Sequence, residues 1–386
     1  MTGLYVHIPF CNSICSYCDF VKMVARTPLK EQYVNALIKE IDLKKQRLLR
    51  NNYIDTIYIG GGTPSSLPLY LLDKLLTKLD NIYNINNIKE YTIELNPNDV
   101  NIDLINILIK HHINRISLGV QSFNNLKLNI LKRNHNKDQA VNAIKLLKEY
   151  FVNISIDLIY GFVTKEIIDD FSLIKNDIDI AISLGVKHLS CYSLILEDKT
   201  LLKYLYEKHE FQLMAEEKEA KLYYDIRNYL INNNFKHYEI SNFAYNKNYN
   251  YESIHNKIYW TNNHYEALGI SAASYIDNHR IKNISSIHKY IKLIVNNDSL
   301  INSIIDEDIE LDLNDLYNDE LYLGLRLIDG INIDEFYNKY NKTIFEVFPN
   351  LDKEINNNFI IFENNDIKIN PKYLYISDNI ILKILN

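Results

Sequence analysis

Cys11, Cys15 and Cys18 stand in the spacing C-x3-C-x2-C near the start of a chain of 386 residues that holds one other cysteine, Cys191. A [4Fe–4S] cluster held symmetrically uses four thiolates, so three in one tight loop leave an iron open to another ligand. The small molecule most often bound at such an iron is S-adenosylmethionine, which can be reduced to give a radical. Two other readings of the triad are a zinc site short of one ligand and three unrelated thiols. Zinc sites more often pair C-x2-C elements and take a fourth Cys or His nearby. Cys191 lies in the strand-like run HLSCYSL and reads as a small buried hydrophobe rather than a fourth ligand.

A second chemical signal is GGGTP, Gly60 to Pro64. The chain has 10 glycines, and three of them are contiguous here. Glycine lets the backbone come close to a ligand, and exposed amides in such a turn can bind a carboxylate or other polar group. A tight turn is the alternative. Further along, Trp260 is the only tryptophan and closes a cluster with His255, Asn256 and Tyr259. Indole packs against ligands or anchors cores, and a histidine so placed could ligate haem iron. Taken alone, His255 reads better as a solvated or hydrogen-bonded residue.

These residues need elements to position them. Short β-branched runs at Leu4 to Ile8, Thr56 to Ile59, Tyr91 to Leu95, Arg115 to Leu118, Asn153 to Leu158 and His188 to Tyr192 suggest six strands. Helical spacing of apolar residues falls between them, at Glu31 to Leu49, Leu69 to Leu79, Leu104 to His111, Lys137 to Tyr150 and Ile167 to Leu184. The alternation predicts an α/β fold with a curled parallel sheet, a partial (β/α)6 barrel, with an open doubly wound sheet as the rival. The cysteines, the glycines, Glu94, Asn96, Gln121 and Asp157 all fall at C-terminal strand ends. In barrels of this kind that rim carries the chemistry. The expected organisation is a barrel over 1–235, a connecting region over 236–300 and a small C-terminal winged-helix-like α+β domain over 301–386. In the last, a helix is expected around Leu316 to Leu327, another from Asp334 to Tyr340, and a hairpin with its turn at Asn364-Asn365-Asp366. A long helix is expected over Gln212 to Asn232.

Composition narrows the classes. No stretch of 18 apolar residues exists, and Met1 leads almost directly into strand-like LYVHIP, so neither a membrane span nor a signal peptide is expected and the cytoplasm is the expected compartment. Four cysteines in so long a chain argue against a disulfide framework. A net charge of −7 speaks against nucleic acid as a main partner, and the acidic run Asp306 to Asp315 speaks against DNA binding by the C-terminal domain.

LYVHIPFCNSICSYCDF, GGGTPSSL, YTIELNP, ISLGVQSF and SIDLIYGF, in that order and spacing, resemble the radical SAM enzymes related to oxygen-independent coproporphyrinogen III oxidase. The resemblance runs through nearly the whole chain. Within that group, CSYCDF followed by YEISNFA and HNKIYW is more similar to the haem chaperones than to the oxidase. The oxidase pattern adds a cysteine two residues after the third, where this chain has Phe20, and carries an extension before the first strand.

The resemblance implies that Cys11, Cys15 and Cys18 ligate a [4Fe–4S] cluster and that Tyr5, Tyr17, Gly61, Gly62, Thr63, Glu94, Gln121, Arg133 and Asp157 contact S-adenosylmethionine. A carboxylate can accept from ribose hydroxyls, and Arg133 offers a fork to a carboxylate. HNKIYW matches the group's haem-binding motif, which makes His255 the expected haem ligand. Haem, haem-acceptor proteins such as respiratory enzymes, and an electron donor of the flavodoxin or ferredoxin type are the implied partners. Two segments depart from the pattern. YGFVTKE stands where YGLPGQT is usual, and LGISAASY at Leu268 to Tyr275 replaces a more glycine-rich run and lacks its histidine. The leading expectation is a haem chaperone. The alternatives are a coproporphyrinogen III oxidase and a binding scaffold whose cluster is purely structural.

Overall fold

The computed structural model describes residues 1–50, 54–83, 87–296 and 301–385. It turns the six β-branched runs into parallel strands, Gly3–Ile8, Thr56–Gly61, Glu90–Leu95, Arg115–Gln121, Asn153–Tyr160 and His188–Ser193, adjacent in that order. Successive side chains on a strand point to opposite faces. On one face Leu4, Val6, Ile8, Ile57, Ile59, Ile93, Ile116, Leu118, Ile156 and Leu158 are fully buried in the main core. Covering each such side chain contributes about 1.5–3 kcal/mol relative to exposure. The helices Thr27–Arg50, Leu69–Ile82, Ile102–Lys110, Lys137–Lys148 and Phe171–Ser183 alternate with the strands and contribute to the same core.

The opposite face is polar. Glu94, Arg115, Ser117, Ser155, Asp157, His188 and Ser190 occupy it on four neighbouring strands and line one cavity. Register sets their levels: Glu94 stands opposite Ser117, Ser117 opposite Ser155, and Asp157 opposite Ser190. A parallel sheet packed on both faces reads as apolar throughout. Polar residues alternating with Ile and Leu therefore mark a face that surrounds a ligand space.

The sheet does not close. It has twelve strands in one open order, with Tyr265–Leu268 added parallel to Gly3–Ile8 and followed by the antiparallel strands Ala273–Ile276, His279–Asn283 and Ile305–Glu310. At the other edge Asn242–Tyr245 and Phe235–His237 continue it. Strands within Phe235–Tyr245 and Tyr265–Asn283, in the expected connecting region, thus join the main sheet at its two edges. The expected boundary at 300/301 lies outside the described residues, and the sheet continues to Glu310.

Beyond Leu311 a second core gathers Tyr317, Leu321, Leu325, Phe336, Phe348 and Leu351. Its three-stranded antiparallel sheet contains the hairpin Ile360–Glu363 with Asp366–Ile369. Asn364 and Asn365 both take left-handed φ, 54° and 65°, as a two-residue primed turn requires. Two expected helices start late. Gln212–Leu213 pairs with Phe162–Val163, and Ile168 bridges back to Val163, so the helices begin at Phe171 and Glu216. Asp170 caps the first by accepting from the backbone N–H groups of Ser172 and Leu173. Among the described residues no helix is long and apolar enough to cross a membrane.

Candidate functional site

At the C-terminal ends of the parallel strands opens a cavity of about 380 Å³. The loop after the first strand supplies Cys11, Cys15 and Cys18, all free thiols at its wall. Backbone hydrogen bonds fasten that loop: Cys11 N–H to Met23 O at 3.0 Å, Ser16 N–H to Leu131 O at 3.2 Å, and Thr63 N–H to Phe10 O at 2.7 Å. The last ties it to the glycine turn. Gly61 has φ +112°, and a Cβ there would meet the His7 ring at 2.5 Å. At Gly62 a Cβ would fall 2.7 Å from the Phe10 carbonyl oxygen. Only glycine allows this turn to press against the cysteine loop.

Polar groups approach the sulfurs. Arg133 Nη1 lies 3.1 Å from Cys15 Sγ, and the Thr63 hydroxyl points at Cys11 Sγ from 3.6 Å. Burial pushes the Cys11 and Cys18 thiols up from their ordinary range. Deeper in the wall Glu94 accepts from the Tyr58 hydroxyl at 2.7 Å and from Gly61 N–H at 3.1 Å. Its carboxyl is nonetheless pushed up to about 7, first by burial and further by the charge of Asp157. Asp157 is itself raised to about 6 by burial, against the pull of Ser190, Arg115 and Arg133. Arg115 and Arg133 line the same cavity but do not offset the burial of the two carboxyls, and a positively charged ligand would favour their ionised form.

Of the residues singled out from the sequence, the three cysteines, Tyr17, Gly61, Gly62, Thr63, Glu94, Gln121, Arg133 and Asp157 all line this cavity. Gln121 does so with φ 68°, a left-handed backbone rare outside glycine, where the register with the next strand shifts. Tyr5 does not line it. Strand alternation places Tyr5 opposite Tyr58, and its ring stacks there with its hydroxyl 3.0 Å from His7 Nδ1.

His255, the expected haem ligand, also stands apart from this cavity. The helix Ile254–Trp260 packs against the N-terminal ends of the strands, opposite the cysteine rim. Glu90 accepts from Ser253 Oγ, Ile254 N–H and His255 N–H at 3.1, 2.9 and 3.0 Å, which secures that helix. His255 is 1% exposed. Its Nδ1 meets the Thr56 hydroxyl at 2.7 Å and its Nε2 the Tyr259 hydroxyl at 2.8 Å. Burial holds its pKa down at about 3, so the ring is neutral with both nitrogens engaged. The neighbouring Asn256 reaches the cavity, and Trp260 lies under the Arg326 guanidinium at 5.6 Å.

Sequence reasoning missed the deep wall, Arg115, Ser117, Ser155, His188 and Ser190, and Tyr192 nearer the mouth. The available signal was the alternation R-x-S-x-G, N-x-S-x-D and H-x-S-x-Y on three successive strands of a parallel sheet. The segment Gly161 to Asp170, where the chain departs from the usual glycine and proline, is held by a fully buried ion pair. Lys127 Nζ lies 2.9 Å from Asp169 Oδ1 and 2.9 Å from the Ile159 carbonyl oxygen, and Gly161 N–H donates to Asp169 Oδ2 at 3.1 Å.

Comparison with known proteins places this geometry. Residues 5–174 match the family model of the radical SAM superfamily, and residues 311–372 match that of the HemN C-terminal domain. The chain is 33% identical over 383 residues to the heme chaperone HemW of Lactococcus lactis, covering 99% of this chain and 96% of that one. It is 32% identical to the heme chaperone HemW of Bacillus subtilis, covering 92% and 91%. The solved structure of coproporphyrinogen III oxidase, HemN, from Escherichia coli superposes with a TM-score of 0.82 over 100% of this chain and 90% of that one, at 18% identity, a likeness of fold. The fold and the cysteine-lined cavity are those of a radical SAM protein. Within that class the chain belongs to the HemW family.

Radical SAM membership implies S-adenosylmethionine and a [4Fe–4S] cluster, and the residues present fit both. Among the described residues no three His, Cys, Asp or Glu side chains converge on one metal ion. Arg133 Nε is buried without a partner at the cavity, leaving a guanidinium edge to offer to a ligand carboxylate.

Proposed function

We propose that this protein is a haem chaperone of the radical SAM class, which binds haem and passes it to acceptor proteins such as respiratory enzymes. In this reading Cys11, Cys15 and Cys18 hold the cluster, and the cavity holds S-adenosylmethionine. The observation that carries it is the meeting of three free thiols, Glu94, Asp157 and Arg133 in one cavity, within a chain whose whole length resembles proteins named heme chaperones. Phe20 adds support. It stands 64% exposed at the cavity mouth, at the position where the oxidase pattern has a further cysteine.

The bound cluster and S-adenosylmethionine would supply one-electron chemistry. The chain's own residues bind and orient. Arg133 takes the cofactor carboxylate, and the Gly61-Gly62-Thr63 turn offers backbone amides that no side chain obstructs. Glu94 is fixed by Tyr58 and Gly61, so it meets the cofactor without reorganisation. Asp157 and Glu94 together balance the cofactor's positive charge. The buried Lys127–Asp169 pair keeps the rim segment after Tyr160 in place without the usual proline.

The test is titration of the anaerobically reconstituted protein with hemin, followed by mixing with a haem-depleted respiratory enzyme. The reading predicts saturable binding and recovery of the acceptor's activity. Turnover of coproporphyrinogen III with no haem binding would instead establish the oxidase.

A further inference from the structure

The mouth of the cavity is apolar in a way the rest of the site is not. Ile14 and Phe20 on the cysteine loop are 53% and 64% exposed, and Tyr192 near the end of the sixth strand and Ile195 just after it are 41% and 67% exposed. All four border the same opening. Large apolar side chains scattered singly on a surface need no explanation, but a group around one opening marks a binding surface. The two segments are held in place by backbone hydrogen bonds, Leu202 N–H to Ser16 O at 2.9 Å and Leu194 N–H to Tyr160 O at 2.8 Å.

We propose that Ile14, Phe20, Tyr192 and Ile195 form a slot for the face of a porphyrin at the cavity mouth, with Lys22 meeting one of its carboxylates. This names the place at which the haem of the proposed function is bound and rests on that reading. Three observations favour a porphyrin over other occupants. The surface is apolar, suiting a flat macrocycle. Lys22 lines the same opening, its ammonium anchored on the Cys18 carbonyl oxygen with further N–H donors left for a carboxylate, while Asp19 and Glu197, which also line it, repel acid groups and so restrict the orientation of a dicarboxylate. The histidine that would otherwise be expected to hold the iron is sealed at the opposite end of the strands, between Thr56 and Tyr259. Contact with the ring face, rather than ligation by His255, is therefore the main source of affinity. Porphyrins with and without iron should bind alike.

The experiment uses the full-length chain, titrated with hemin and separately with metal-free protoporphyrin IX. Compared with wild type are Phe20→Ser/Ile195→Ser, His255→Gln, and Val152→Ser, the last an exposed apolar residue absent from the opening. Loss of two apolar contacts should weaken both porphyrins on the order of tenfold or more. The His255 and Val152 variants should bind as wild type does, and all four proteins should give the same far-ultraviolet circular dichroism. If His255→Gln loses hemin while the Phe20/Ile195 variant stays within about twofold of wild type, the slot is wrong. A wild type that binds neither porphyrin would overturn the haem reading itself, which separates the two failures.

Discussion

The Thr56 hydroxyl stands 2.7 Å from Nδ1 of His255, although 199 positions separate them in the chain. With Tyr259 on the other ring nitrogen and Glu90 holding the backbone of the same helix turn, this contact builds HNKIYW into the base of the parallel sheet. Thr56→Val leaves a buried ring nitrogen unpaired and should cost about 1–3 kcal/mol. Urea unfolding measures it, and an unchanged midpoint would show that the histidine is not held as described.

If Glu94 meets the cofactor as proposed, binding should depend on pH. Its folded pKa of about 7 lies above the ordinary value of 4.5, mainly through burial, so much of it is protonated at neutral pH. A cationic ligand favours the carboxylate and expels that proton. Affinity for S-adenosylmethionine should therefore rise as pH increases toward about 7 and then level off. Calorimetry in two buffers of different ionisation enthalpy should show proton release in wild type and none from Glu94 in Glu94→Gln. Equal heats in both buffers for wild type would contradict the assignment.

Lys127 and Asp169 are both fully buried. Removing one partner strands the other charge, so Lys127→Met should cost about 3–5 kcal/mol, whereas Lys127→Met/Asp169→Leu should recover most of the loss. A double variant no more stable than the single one would show that the pair also holds the Gly161 to Asp170 segment through Asp169 itself.

His111 bridges two helices through Asp80 at Nδ1 and Asp73 at Nε2, the latter at 2.8 Å. Burial lowers its pKa, but the hydrogen bonds to Asp80 and Asp73 outweigh it and the net shift is upward. The stabilisation is thus fully present below the unfolded pKa of 6.5 and is lost as pH rises through the higher folded value. The stability difference between wild type and His111→Gln should be greatest in mild acid and shrink above neutrality. A difference independent of pH would rule out a charged bridge.

The strands were legible because β-branched runs alternate with helical spacing, and their bounds in the structure differ from the expected ones by at most a few residues. The rim was legible for a related reason: strand ends are where the chain changes character, so Glu94, Gln121 and Asp157 stood out. Ser117, Ser155 and Ser190 did not, because a lumen-facing serine and a solvent-facing one look the same in a single strand. Only the sheet's parallel topology, with apolar residues on the other face, tells them apart. Tyr5 came in through the resemblance alone, and the register with Thr56–Gly61 sets it beside Tyr58, outside the cavity lining. The burial of His255 could not be read locally, since the groups that hold it, Thr56 and Glu90, come from strands far away in sequence.

The most direct test of the account is iron and sulfide analysis of anaerobically reconstituted protein, with electron paramagnetic resonance of the reduced cluster recorded before and after adding S-adenosylmethionine. Cys11, Cys15 and Cys18 as sole protein ligands predict about four irons per chain and a spectrum that shifts when the cofactor binds the open iron. Each Cys→Ala variant should lose the cluster, and Cys191→Ala should keep it. A cluster that survives Cys15→Ala, or a spectrum indifferent to S-adenosylmethionine, would contradict the central claim.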